Sequence, residues 1–393
     1  MNLWIAGATC PLGVHNAACP RRYIKNTSPF PGFPHQSLRQ KVKPAVRIIS
    51  ENQNSTRQVV SMELSMSARI LRVIKPPLYS VAVVPSLVGS SAWFHTTGSL
   101  NMVASTTFLL SSLLIIAWLN LTNDAFDSGT GTDLTKEDSA VALVGGRVHS
   151  VFYVAWGCLA LAFSLILYRL YNPTLILTTM IAVFIGYIYQ GPPFRLGYLG
   201  LGEPLCLLAF GPVAHAAVVS AQLVGRIDTS SRGFMGEAMR GLSDVYFGGS
   251  SMGSTLPVWF VASILVGIST SAILSCANFH QFSSDGEHGK RTLCVRIGTL
   301  CAAKLLILGV SLQYTLAILL ICLRLLPMTT LLIIFSIPTA IDMCRFVFEH
   351  HANPPVVKRA KFFATKWHVT FGIALALGLL DWPFFISLFP SSS

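Results

Sequence analysis

An all-α integral membrane fold with about nine transmembrane helices is predicted by composition and by the spacing of apolar runs, and two polar motifs at helix ends could face one another across a shared central cavity. The 393 residues have a mean hydropathy of +0.60, with 52% hydrophobic and 11% charged side chains. A water-soluble domain carries about 25% charged residues, so most of this surface must face lipid. The net charge of +12 does not indicate a nucleic-acid partner, because no polar domain interleaves basic and aromatic residues. The nine cysteines form no Cys-x-x-Cys pair, and Cys158, Cys206, Cys276 and Cys322 lie inside apolar runs as small hydrophobes. Neither a Gly-x-x-x-x-Gly-Lys-Ser/Thr loop nor a dinucleotide fingerprint occurs, which excludes the usual ATP-driven pump and nicotinamide chemistry.

Residues 1–50 hold no Asp or Glu, whereas Arg21, Arg22, Lys25, Arg39, Lys41, Lys43 and Arg47 are spread among Ser, Pro, Asn and Gln. This composition reads as an organelle transit peptide or as a retained, disordered basic arm. It divides the chain into a leader at 1–60 and a transmembrane domain at 66–389. Residues 66–75 form an amphipathic lead-in with Arg69, Arg72 and Lys75. Apolar runs then fall at 78–94, 103–119, 151–167, 173–189, 205–224, 258–276, 302–323, 329–343 and 369–388. The connection 225–256 is polar and nearly balanced in charge, and no chemistry is assigned to it.

The second run leads directly into Asn-Leu-Thr-Asn-Asp-Ala-Phe-Asp, residues 120–127. If the helix continues, Asn120, Asn123, Asp124 and Asp127 stand at offsets 0, 3, 4 and 7 and share one face. Carboxylates inside a membrane helix each cost roughly 2.5–3.5 kcal/mol, so they need a cation or a wet cavity. The run at 258–276 ends likewise in Asn278, Phe279, His280, Gln281, Asp285 and Gly289. Asn278, Gln281, Asp285 and Gly289 repeat the offsets 0, 3, 7 and 11 of Asn120, Asn123, Asp127 and Gly131. Two such ends facing one another would offer oxygen ligands suited to Mg²⁺. Two unrelated polar caps would explain each motif singly but not the shared spacing.

Charge asymmetry puts both motifs on the internal side, with Lys136, Arg147, Arg195, Lys290, Arg291, Arg296, Lys358, Arg359, Lys361 and Lys366. The opposite loops hold mainly Arg169, Arg226, Arg232, Arg240 and Arg324. Carboxylates for a divalent cation beside Lys and Arg for phosphate oxygens suit an anionic substrate. The loop from Tyr189 to Glu203, broken by Pro192 and Pro193 and carrying four glycines, is either a cap over the cavity or an ordinary connector.

Together these segments resemble the UbiA superfamily of intramembrane aromatic prenyltransferases, and within it the 1,4-dihydroxy-2-naphthoate polyprenyl and phytyltransferases. The likeness spans about residues 69–383 and rests on Asn120–Asp127 with Asp133, on Phe279-His280-Gln281 with Asp285 and Lys290, on Val295-Arg296-Ile297-Gly298, on 189–205, and on Lys75-Pro76-Pro77. Bacterial relatives commonly have Asp where Gln281 stands, and Ser283 is often acidic, so the number of metal ions stays open. The Phe-His-Gln form is expected of the plastid subgroup.

The resemblance implies transfer of a phytyl or longer polyprenyl group from its diphosphate to an aromatic acid, with loss of CO₂, in a chloroplast membrane. It further implies Mg²⁺ held by Asn123, Asp124, Asp127 and Asp285. Lys75, Arg147, Arg195, Lys290 and Arg291 would neutralise the diphosphate, Asn120, Asn123 and Gln281 would also bind substrate, and Tyr189 would shelter an allylic cation. His280 either orients the aromatic acid or is a helix-end histidine satisfied by the backbone. Another aromatic acceptor, such as homogentisate or 4-hydroxybenzoate, is the nearest alternative. A secondary transporter would also use intramembrane acids, but would place them near the midplane in broken helices.

Overall fold

The structure, a computed structural model, describes residues 70, 73–130, 139–224, 233–247 and 256–380. The leader at 1–60, Arg69, Arg72, Gly131, Asp133, Lys136, half of the 225–256 connection and the end of the last predicted span lie outside these residues. Nine helices among the described residues are long and apolar enough to cross a membrane. They are α1 (Pro76–Thr97), α2 (Met102–Thr130), α3 (Val148–Arg169), α4 (Pro173–Gln190), α5 (Gly202–Gln222), α7 (Val258–Glu287), α8 (Thr299–Cys322), α9 (Met328–His350) and α10 (Pro354–Leu379). A further helix, α6 (Phe234–Phe247), lies in the 225–256 connection and packs Ala238 and Gly241 against α4.

Local sequence sets the helix ends. Asn172 caps α4, its side chain accepting from the N–H groups of Thr174 (2.9 Å) and Leu175 (3.2 Å), with Pro173 at the first helical position. Polar residues do not stop α2 at Leu119; it runs through the first motif to Thr130. In α7 the expected continuous helix is broken. An α-helix to Asn278 tightens into a 3₁₀ turn at Phe279–Gln281 and resumes at Phe282–Glu287.

The last span departs furthest from expectation. The charges of residues 354–368 read as a basic loop, yet α10 begins with Pro354 and Pro355 at the first helical positions and spans them. Ala360, Ala364, Trp367, Phe371 and Leu375 recur every three or four residues and are all fully buried, so one apolar face carries the helix while its lysines point elsewhere.

α1, α2, α4, α5, α7 and α10 enclose a cavity, whereas α3, α8 and α9 contribute no lining residue and buttress the ring from outside. α5 crosses α7 at close range. A Cβ on Gly267 would stand 2.7 Å from the Leu207 carbonyl oxygen and 3.2 Å from Gly211 Cα, both backbone atoms. Gly267→Val is therefore expected to destabilise by about 1–3 kcal/mol through overpacking. Thermal unfolding in detergent checks this: Gly267→Val should lower Tm, while Gly309→Val, which meets nothing within 4 Å, should not.

Candidate active site

The cavity has a volume of about 500 Å³ and two unlike ends. Its apolar arm is lined by side chains such as Ile115, Ile116, Leu119, Ile185, Phe210 and Ile273. Its polar end gathers the start of α1, the ends of α2, α4 and α7, and the start of α10, all on one side of the bundle. Three aspartates, Asp124, Asp127 and Asp285, meet four lysines there, Lys75, Lys290, Lys358 and Lys361. The lining thus carries one more positive than negative charge, which favours a polyanionic guest.

On α2 the continued helix puts Asn120, Asn123, Asp124 and Asp127 on the cavity face, as the spacing predicts. Asp124 is 1% exposed and Asp127 5%. Lys75 Nζ donates to Asp124 Oδ1 (3.0 Å) and Oδ2 (3.2 Å) and to Asn120 Oδ1 (3.1 Å). The backbone at Lys75 is left-handed, φ 52°, a costly geometry for a residue with a Cβ that aims the ammonium across the helix start. The Ala140 N–H also donates to Asp124 Oδ2 (2.9 Å), and Asn123 Nδ2 to Asp127 Oδ2 (3.4 Å).

The second motif brings Asn278, His280, Gln281, Ser284 and Asp285 to the same cavity. Asp285 is 3% exposed, with Lys290 Nζ 3.5 Å from its Oδ1. Each motif therefore pairs a buried carboxylate with a lysine. The 3₁₀ turn makes Gln281 the residue before the resumed helix, so it shares the cavity with Asp285 by virtue of the break rather than by regular i,i+4 spacing. Glu203 Oε1 accepts from Asn278 Nδ2 (3.2 Å), tying the start of α5 to this motif.

Between the motifs lies the 191–201 loop, and Tyr198 joins it to both. Its hydroxyl donates to Asp127 Oδ1 (3.3 Å) and lies 2.9 Å from Thr130 Oγ1. Its carbonyl accepts from the Arg291 N–H (2.8 Å), and Lys290 Nζ sits 5.7 Å from the ring centroid. Arg296 anchors the loop further, donating to the Leu199 carbonyl (2.7 Å). The cap reading of this loop fits these contacts. Tyr198→Phe is expected to lower kcat about 3- to 10-fold, the loss of one hydroxyl hydrogen bond to a carboxylate. Wild-type kcat in steady-state assays of that variant would show the hydroxyl to be incidental.

Of the residues singled out from sequence, Lys75, Asn120, Asn123, Asp124, Asp127, Tyr189, His280, Gln281, Asp285 and Lys290 line the cavity. Arg147, Arg195 and Arg291 do not. Arg147 and Arg291 are exposed, and the Arg195 guanidinium stacks 5.8 Å from the Tyr198 ring centroid. Sequence reasoning missed Tyr198, Lys358 and Lys361. The lysines were visible as charges, but only the early start of α10 puts them on the cavity wall. Cys294 lies beside the second motif, and burial pushes its thiol up to about 12, with the Glu203 and Asp285 carboxylates adding to the effect. It is therefore a neutral thiol rather than a ligand or nucleophile.

Oxygen dominates the donor set: Asn123, Asp124 and Asp127 on one wall, Gln281, Ser284 and Asp285 on the other. Among the described residues no three His, Cys, Asp or Glu side chains converge to form a metal cage. Such a set fits Mg²⁺, which takes one or two carboxylates and completes its shell with water and phosphate oxygens.

A chain-sized apolar arm that opens onto a pocket built for a polyanion is the arrangement of an intramembrane prenyltransferase. The sequence matches the UbiA prenyltransferase family over residues 82–370, and the chain belongs to that family. It is an aromatic prenyltransferase. It is 39% identical over 312 residues to 2-carboxy-1,4-naphthoquinone phytyltransferase of Synechocystis sp., covering 78% of this chain and 92% of the relative. To the chloroplastic 2-carboxy-1,4-naphthoquinone phytyltransferase of Arabidopsis thaliana it is 37% identical over 325 residues, 81% of this chain and 78% of the relative. A UbiA homolog from Archaeoglobus fulgidus shares the fold, with a TM-score of 0.52 at 16% identity over 78% of this chain and 99% of that one.

Proposed function

We propose that this enzyme transfers a phytyl group from its allylic diphosphate to 1,4-dihydroxy-2-naphthoate, with Mg²⁺ and with loss of the ring carboxylate as CO₂, in phylloquinone or menaquinone synthesis. The names of its cyanobacterial and plant relatives support the naphthoquinone acceptor and the phytyl donor. Those names give the acceptor as the quinone; attack on an electron-poor allylic centre needs the electron-rich dihydroxy form. A plastid membrane, reached through the leader at 1–60, accords with the chloroplastic relative. The observation that carries the reading is the meeting of both motifs and four lysines at one end of a single apolar cavity.

Asn123, Asp124, Asp127 and Asp285 would hold the metal, with Gln281 as a neutral oxygen ligand or as the group that orients a ligand water. Bound there, Mg²⁺ supplies Lewis-acid stabilisation of the departing diphosphate. Lys75 and Lys290, each now paired with a motif carboxylate, would turn to phosphate oxygens, joined by Lys358 and Lys361. The bond between the allylic carbon and the diphosphate oxygen breaks. Tyr189, on the cavity wall, shelters the resulting cation with its ring face, and the apolar arm excludes water that would hydrolyse it. The ring carbon bearing the carboxylate forms the new carbon–carbon bond, and expulsion of CO₂ returns the electron pair to the ring. His280, on the cavity wall, would orient the acceptor carboxylate. No protein nucleophile takes part.

Membranes containing the chain test the assignment when offered phytyl diphosphate with 1,4-dihydroxy-2-naphthoate, homogentisate or 4-hydroxybenzoate. The naphthoate is expected to be prenylated fastest, with one CO₂ released per product. Preference for homogentisate, or a product that keeps its carboxyl group, would overturn the acceptor or the decarboxylation.

A further inference from the structure

The apolar arm of the cavity ends at a definite place. On α2 the lining side chains form one stripe from Asp127 through Asp124, Asn120, Ile116 and Ser112 to Phe108. Phe108 lies sixteen residues before Asp124, about 24 Å along the axis at the α-helical rise, which matches the reach of an extended C20 chain with its diphosphate. Beyond it the space is filled. Phe108 is 6% exposed and packs in a closed apolar cluster with Ala104, Leu175, Ala217 and Val218. Ala217 and Val218 of α5 line the cavity from the facing wall. Val218 cannot retreat, because α1 backs it closely: a Cβ on Gly89 would stand 2.9 Å from Val218 Cγ1.

We infer that Phe108 and Val218 form the floor of the prenyl-chain arm and set the length of chain the enzyme accepts at about C20. This rests on the prenyl-transfer reading above. An allylic diphosphate bound by the lysines and carboxylates is fixed at its head, so a tail that follows the α2 stripe along the arm reaches this floor. A C40 chain would need roughly twice the apolar length and so would have to displace the Phe108 ring.

The test is competition between phytyl diphosphate and a C40 polyprenyl diphosphate for one acceptor, in membranes carrying the full chain, with both products measured by mass spectrometry. Wild type is expected to favour C20. Phe108→Ala should raise the C40-to-C20 product ratio at least about tenfold, the discrimination that methylene-scale changes in an apolar pocket produce. Phe108→Leu, a milder truncation, should shift the ratio the same way. Val218→Phe, offered C10 and C20 diphosphates, should shift use toward C10. Leu110→Ala, on the lipid-facing side of the same helix, should leave the ratio as in wild type. Because a ratio is read, partial loss of folded protein does not mask the result. An active wild type with unchanged ratios in the Phe108 and Val218 variants would overturn the floor alone, with longer chains then leaving sideways into lipid. A wild type that transfers neither chain would overturn the prenyl-transfer reading and the floor with it.

Discussion

Asp124→Ala, Asp127→Ala and Asp285→Ala are each expected to lower turnover by more than about 10²-fold, roughly 3 kcal/mol of transition-state stabilisation. All three carboxylates are buried at the polar end of one cavity, on two walls. Loss of one would weaken the hold on the Mg²⁺ that compensates the departing diphosphate as its charge develops, so kcat should fall more than KM rises. Asp124→Ala and Asp285→Ala also unpair Lys75 and Lys290, which are 25% and 12% exposed, so folded protein is measured alongside turnover, and Asp124→Asn and Asp285→Asn serve as the milder controls. Steady-state kinetics on membranes matched for protein content check this. Full activity in any one variant would remove that residue from the site.

Lys75→Ala is expected to act differently, on stability as well as on donor binding. The Lys75 ammonium contacts both oxygens of Asp124 at 3.0 and 3.2 Å, and Asp124 is 1% exposed. Removing one partner of a buried ion pair costs about 3–5 kcal/mol, because the other charge keeps its desolvation penalty. Lys75 itself is 25% exposed, and the Ala140 N–H still reaches Asp124. A loss at or below the lower end of that range is therefore expected. Thermal midpoints in detergent should fall for Lys75→Ala and recover in part for the double variant with Asp124→Asn, which no longer carries the stranded charge. KM for the allylic diphosphate should rise in both. Wild-type stability and KM for Lys75→Ala would show the pair to be a surface contact.

How legible the molecule is in its sequence depends on the kind of signal. The apolar runs of α1 to α5 and α7 to α9 locate the spans because lipid imposes one hydropathy on every exposed face. The first motif is legible because α2 stays regular from Met102 to Thr130, so spacing translates into a shared face. In the second motif the same spacing crosses a 3₁₀ turn, and the residues meet the cavity by a geometry that periodicity does not encode. The start of α10 is hidden by Lys358, Arg359, Lys361 and Lys366, whose charges resemble a loop although a buried Ala360–Ala364–Trp367–Phe371 stripe holds the helix. Tyr198 lies within the 189–205 segment but no spacing singles it out; its contacts follow from where the loop folds over the ends of α2 and α7, a tertiary fact. Arg147, Arg195 and Arg291 show the converse, since charge on the right membrane side does not place a side chain on the cavity wall.

One Mg²⁺-dependent site, built from both motifs, is expected to join a prenyl diphosphate to the naphthoate. Its most direct measurement is product formation and diphosphate release from phytyl diphosphate and 1,4-dihydroxy-2-naphthoate, in membranes carrying the full chain, with Mg²⁺ and then with EDTA. The expected result is equimolar prenylated naphthoquinol and diphosphate with Mg²⁺, neither with EDTA, and recovery when Mg²⁺ is restored. Undiminished product in EDTA, or no product with Mg²⁺ present, would contradict it.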